Sequence, residues 1–374
     1  MTRPAIAKAT VLFAVAAIVG ATFGSARAAT PLGEIDIEAT GGTTSGFSAD
    51  AGPSAITLGP DGNMWFLERS EIAVARRNAD GTVSEFDWPI AIGSMSSIVA
   101  GPDGNLWFLD FNPPGRVGRV TPAGVVTEVA TGGITPGLTA GNLQNIIVGP
   151  DGNLWATRPF VSAGVARITT AGVVTEFAAP AGIQPRDIAV GSDGNMYVTS
   201  DDAAGTILRV TSAGVVTTVA TGGVTPGFTA GRFPSDIATG PDGALWFLEQ
   251  GGVARITTSG TVTEYPAPTA TPFLTDITSA CGSLWIAQGE EDGSESALLR
   301  VTTAGVFTTF TSGLPAGSSP DGLAVGPDDD VWFTLRADPG RVGHIGAGCA
   351  VEPPATPPTG PPPSPVPASP NFTG

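Results

Sequence analysis

Gly59-Pro60-Asp61-Gly62-Asn63-Met64-Trp65-Phe66 decides the fold, because near-copies begin at Gly101, Gly149, Gly191, Gly240 and Gly326, with a shortened version at Ala280-Cys281-Gly282-Ser283-Leu284-Trp285. Proline presets φ at the first central turn position, glycine ends the turn, and period-2 apolar segments flank it, so each copy reads as a tight antiparallel hairpin. The aromatic after each turn is Trp65, Trp107, Trp155, Tyr197, Trp246, Trp285 and Trp332, at spacings of 42, 48, 42, 49, 39 and 47 residues. Seven units of that length are propeller blades, not the shorter repeats of an open β-solenoid.

Unit three shows the whole pattern: strands at Asn145–Val148, Leu154–Thr157, Val165–Thr169 and Val173–Phe177, joined by glycine turns into a four-stranded meander. The third strand recurs at Arg116–Val120, Val253–Ile256 and Leu298–Val301. Unit seven stops after its third strand, Arg341–Ile345, whereas Gly33–Gly42 reads like the fourth strands at Gly124–Gly133 and Gly214–Gly223. Glu34–Glu38 is therefore predicted to complete the last sheet, giving an all-β, seven-bladed β-propeller of four-stranded antiparallel blades. Closure of this kind protects edges that would otherwise template aggregation.

The ends read differently. Residues 1–28 carry Arg3 and Lys8, an apolar run from Ala9 to Gly24 and Ala26-Arg27-Ala28, the three parts of a secretory signal. The run falls short of the ~20 apolar residues a spanning helix needs, so no transmembrane span is expected. The propeller occupies 29–350, and 351–374 is a proline-rich tail of extended geometry. A secreted or envelope-associated monomer is expected. Its net charge of −17 argues against a nucleic-acid partner. In an oxidising compartment Cys281 and Cys349, in neighbouring units, can form a disulfide.

A longer period overlies the first. Thr40-Gly41-Gly42, Thr131-Gly132-Gly133 and Thr221-Gly222-Gly223 open long Gly/Thr loops 91 and 90 residues apart. These connections from fourth to first strand share one face, where binding loops concentrate. The same face receives the starts of the first strands, at Ser54, Ser96, Gln144, Arg186, Ser235, Thr275 and Asp321. It also receives the ends of the second strands, at Glu68, Asp110, Arg158, Ser200, Glu249, Gln288 and Leu335. Both sets are predicted to ring the channel mouth.

Asp187, Asp236 and Asp276 hold one equivalent position in three successive units. Three convergent carboxylates suit Mg²⁺ or Ca²⁺. Alternatively each bonds a backbone N–H of the next blade, and the repetition of the position favours this structural role.

The repeated Gly-Pro-Asp-Gly-x-Leu-Trp-Phe-x-Glu, followed by Arg-Ile-Thr-x-x-Gly and Val-Thr-Glu-Phe, resembles the streptogramin B lyases, also called virginiamycin B lyases, over roughly residues 33–348. The resemblance implies a magnesium-dependent propeller that opens a cyclic depsipeptide at its ester by elimination, with a histidine base and a metal-binding glutamate. The glutamate falls on Glu68 and Glu249, with Asp110 a shorter substitute. The histidine falls on Ser54, Ser235 and Ser96, none of which is histidine. His344, the sole histidine of the sequence, lies in a third strand and reads as a structural residue, packing or surface.

Two functions follow. One is a binding module that takes a peptide, glycan or small-molecule ligand on the loop-bearing face. The other is a lyase in which Glu68, Asp110 and Glu249 hold Mg²⁺ and a carboxylate replaces the missing base, since a serine hydroxyl does not titrate near pH 7.

Overall fold

The computed structural model describes residues 30–349 except 89, 91–92, 270–272, 290–295 and 337–338. The signal (1–28) and tail (351–374) readings lie outside the described residues. Within them, 28 strands form seven four-stranded antiparallel sheets, the seven-bladed propeller expected. Blade one consists of Pro53–Leu58, Met64–Glu68, Ala73–Arg77 and Val83–Asp87. No helix among the described residues is long and apolar enough to cross a membrane.

Blade seven consists of Pro320–Val325, Val331–Leu335 and Arg341–Ile345, and its fourth strand is the N-terminal Ile35–Thr40. The pairing runs from Ile35 opposite Ile345 to Thr40 opposite Arg341, with a bulge between Ile37 and Ala39. The strand reaches two residues further than the alternating pattern ending at Glu38 suggests, because the bulge lets Ala39 turn inward and bury.

The repeated turn shows why its residues recur. Gly62 N donates to Gly59 O at 3.0 Å, and Gly59 N donates to Asn63 O at 2.8 Å. Gly62 stands at φ +77°, a region glycine enters without penalty. Gly59 lies so close to the Trp65 indole that an added Cβ would come within 2.4 Å of the ring. Asp61 Oδ1 accepts from Trp65 Nε1 at 2.9 Å, and the same bond recurs at Asp103–Trp107, Asp151–Trp155, Asp242–Trp246 and Asp328–Trp332. The turn aspartate thus satisfies an indole N–H that burial would otherwise orphan. Blade six, whose shortened turn has no aspartate, leaves Trp285 Nε1 without a hydrogen-bond partner among the described residues.

These aromatics are also the joints between blades. Trp65 packs with Leu106 and Phe108 of blade two, and Trp332 packs with Met64 and Phe66 of blade one, so the core itself runs around the ring. Removing a buried ring of this size typically costs ~3–5 kcal/mol, which makes each joint a large share of domain stability. Cys281 and Cys349 form a disulfide with Cα atoms 4.8 Å apart, linking the blade-six turn to the segment leaving blade seven.

The long loops are built alike. Thr44, Thr135 and Thr225 hydroxyls accept from the N–H of Thr40, Thr131 and Thr221. Phe47, Leu138 and Phe228 plug the loops into the core. The next residue then latches onto the fourth strand of the following blade: Ser48 N and Oγ bond the Glu85 carboxylate, Thr139 the Glu176 carboxylate, and Thr229 the Glu264 carboxylate.

Candidate functional site

The first strand of each blade is innermost, and the ends of these strands surround a cavity of about 520 Å³ on the loop-bearing face. The first-strand isoleucines and Leu323 line it together with charged and polar side chains. Ser96, Gln144, Arg186, Thr275 and Asp321 line it, as predicted for the first-strand set. Ser54 is fully buried instead, its hydroxyl directed to Leu67 O at 3.4 Å. Ser235 is not among the lining residues, and its carbonyl accepts from the Thr199 hydroxyl of blade four.

The predicted contribution of the second strands does not materialise. Glu68, Asp110, Arg158, Ser200, Glu249, Gln288 and Leu335 are all buried and none lines the cavity. The second strand is one step out from the axis, so its last side chain is enclosed between neighbouring chain segments. The residue after it reaches the rim, where Arg69, Phe111 and Arg336 appear. A one-residue displacement in an extended chain reverses the side-chain direction, so the sequence register missed these groups. The Gly/Thr loops also contribute no lining residue; they brace the blades outside the mouth.

Two arginines converge on one carboxylate at the rim. Arg336 Nε lies 2.8 Å and Arg69 Nη2 3.7 Å from Asp321 Oδ2. Burial lowers the pKa of Arg69, and Arg336 lowers it further while Asp321 opposes the shift. Across the cavity, Arg186 Nη1 lies 3.2 Å from Asp201.

Deeper in, Asp187, Asp236 and Asp276 all line the cavity. Asp187 Oδ2 accepts from Ile237 N of the next blade at 2.7 Å, and Asp276 Oδ2 accepts from Leu323 N at 2.7 Å. Two of the three carboxylates therefore tie adjacent blades. Burial pushes all three pKa values up. Asp236 adds to the rise at Asp187 and Asp276, whereas Arg186 opposes the rise at Asp236.

Among the described residues, Glu68, Asp110 and Glu249 are not brought close enough together to hold one metal ion. Asp110 accepts from Ser94 N and Asn112 N, and it pairs with Arg116 at 2.8 Å. Glu68 and Glu249 each stand beneath a loop latch. Burial pushes Glu68 up to about 9, with Glu85 adding, and pushes Glu249 up to about 8, with Glu264 adding. At the same place in blade three stands Arg158, 2.8 Å from Glu176. One latch is thus charge-paired and two hold a protonated acid. Arg158→Met should cost on the order of 1.5–3 kcal/mol in urea unfolding by removing the cation that pairs with Glu176, the scale of a lost charge-assisted hydrogen bond. An unchanged midpoint would show that the pair does not support the latch.

His344 is buried in the third strand of blade seven, opposite Trp332. Trp332 is two residues from the turn end of its hairpin, so His344 lies toward the face opposite the cavity and is absent from its lining.

Fold and cavity together define a seven-bladed propeller with a charged mouth formed by its innermost strands. The chain belongs to the Virginiamycin B lyase family, whose profile matches residues 5–142 and 135–293. It is similar to the crystal structure of virginiamycin B lyase from Staphylococcus aureus, at 28% identity and a TM-score of 0.67, covering 79% of this chain and 95% of that one. A catalytically inactive histidine-to-alanine variant of that enzyme, with quinupristin, matches at 28% identity and a TM-score of 0.67, covering 80% and 96%. A streptogramin B lyase structure matches at 26% identity and a TM-score of 0.68, covering 79% and 94%. No curated protein matches the sequence.

Proposed function

We propose that this chain is a binding member of the lyase family: it holds a peptide-like ligand in the mouth cavity and does not cleave it. The observation that carries the reading is the position of the sole histidine, wholly buried at the far end of blade seven. The S. aureus enzyme whose histidine is replaced by alanine is described as catalytically inactive. General base work at neutral pH needs a group of matched pKa within reach of the substrate, and His344 cannot reach a ligand in the cavity. The cavity offers instead two cations, Arg69 and Arg336, on one side and three aspartate carboxyls whose pKa values burial raises. This arrangement suits a ligand carrying amide, carboxylate and amine groups.

The expected result in a calorimetric titration is saturable binding of quinupristin by the wild type, weakened about tenfold or more in Arg69→Ala/Arg336→Ala, as loss of charge-assisted hydrogen bonds worth ~1.5–3 kcal/mol predicts. No binding, or equal affinity in the double variant, would remove the cavity from this role.

One observation favours a second reading, that of a lyase with a carboxylate base. Burial pushes Asp236 up to about 6, close to the range a general base needs. In that case Asp236→Asn abolishes a ring-opening activity that the wild type possesses.

A further inference from the structure

Blade seven breaks its own repeat in one place, and every change there runs in the same chemical direction. In the other six blades the residue facing the repeat aromatic from the third strand is arginine: Arg76, Arg119, Arg167, Arg209, Arg255 and Arg300. In blade seven it is His344. The fourth-strand residue paired with that arginine is serine or threonine six times, but Asp36 faces His344. The turn Gly-Pro-Asp-Gly-Asn becomes Gly326-Pro327-Asp328-Asp329-Asp330. A site that in blades one, two and five balances one turn aspartate with an arginine here loses the arginine and gains acids and an imidazole.

The geometry shows what those groups do together. His344 is 0% and Asp330 3% exposed, and His344 Nδ1 faces Asp330 Oδ2 at 3.3 Å. Neither atom has a hydrogen-bond partner among the described residues. Asp328 completes a trio whose candidate ligand atoms lie within 4.8 Å of one another. Two ligand atoms each ~2.0–2.1 Å from a tetrahedral zinc stand ~3.3 Å apart, which matches the observed separation. The other ring nitrogen, Nε2, lies 3.2 Å from Glu38 Oε1. A carboxylate on the far nitrogen is the usual partner of a metal-bound histidine, because it fixes the tautomer that frees the first nitrogen for the ion.

We propose that blade seven binds a divalent transition metal of the zinc class through His344 Nδ1, Asp330 and Asp328, with Glu38 orienting the imidazole. Imidazole in the ligand set favours such an ion over magnesium or calcium. Asp328 is only half-buried, which gives the ion an entry path from the turn side. Glu38 belongs to the N-terminal strand, so the ion sits across the seam where the ring closes. This site lies at the end of blade seven away from the mouth cavity and does not depend on what the cavity binds.

The test uses untagged protein stripped with EDTA, titrated with zinc against a chromophoric chelator and with Co²⁺ by absorption spectroscopy. Stoichiometric zinc binding, a tetrahedral Co²⁺ spectrum and a higher Tm with zinc are expected. Asp330→Asn, the residue of blades one to four, and His344→Arg, the residue of the other six, should fold while losing the zinc response. Glu38→Gln should weaken affinity about tenfold, the scale of an outer-shell loss. Zinc binding that is absent, or equal in wild type and Asp330→Asn, overturns the proposal; should His344→Arg fail to fold, the Asp330→Asn comparison decides alone.

Discussion

A chain shortened to begin at Gly41 is expected not to fold into a stable monomer, whereas one beginning at Ala29 should unfold cooperatively. The missing strand, Ile35–Thr40, supplies the fourth strand of blade seven, and its loss exposes the edge Arg341–Ile345. Glu38 goes with it. Its carboxylate meets His344 of blade seven and Arg77 of blade one, so it spans the seam. Ala39 is also lost from the core in which Trp332 packs on Phe66. Each ladder hydrogen bond contributes ~1 kcal/mol net, and a domain is stable by only ~5–15 kcal/mol, so losing a strand removes a large fraction of the total. An opened ring also presents an unpaired edge at which chains can associate. Thermal unfolding with size-exclusion chromatography reads both effects. A truncated chain that elutes as a monomer with an unchanged Tm would show that the ring does not depend on this strand.

The second large effect is on the pH dependence of stability. Glu68, pushed up to about 9, and Glu249, pushed up to about 8, keep their protons in the folded chain at neutral pH; when unfolded they ionise near 4.5. Between those values the unfolded state binds fewer protons, so unfolding free energy falls as pH rises. The contribution is fully present below about 4.5 and is lost as pH climbs to about 8 for Glu249 and 9 for Glu68. The slope approaches ~1.4 kcal/mol per pH unit for each group inside its own window. The cavity aspartates slope in the same direction, and the diagnostic is therefore a difference between profiles. Glu68→Gln/Glu249→Gln should gain stability relative to wild type from pH 5 to pH 8. Parallel profiles would mean that neither acid is protonated in the fold.

How much of this was legible depends on the range of each interaction. The blades, their count and the closing strand follow from local chemistry, the turn residues and period-2 alternation, and all three are present in the structure. The partner of the turn aspartate is only four residues away at Trp65, yet proline and glycine alone account for the turn, so nothing in the sequence called for the Asp61–Trp65 bond. The latches escaped notice because Ser48 and Glu85 are 37 residues apart and meet only once two blades are docked. Arg69 and Arg336 were missed for a geometric reason. Counting to the last strand residue selects Glu68 and Leu335, and the chain turns toward the mouth one residue later. The signal for the blade-seven cluster was in plain sight. Asp330 and His344 stand where blades one to four put asparagine and arginine, but a departure from a repeat acquires meaning only when the departures are seen to meet.

The central claim, that the family's propeller is kept here while its chemistry is not, is tested most directly by incubating the purified protein with quinupristin and excess Mg²⁺. The products are resolved by chromatography with fragmentation, since elimination opens the ring without changing its mass. The account predicts that the depsipeptide stays cyclic over times in which a lyase with its histidine consumes it. Linear product formed in proportion to protein, and lost in Asp236→Asn, would contradict it.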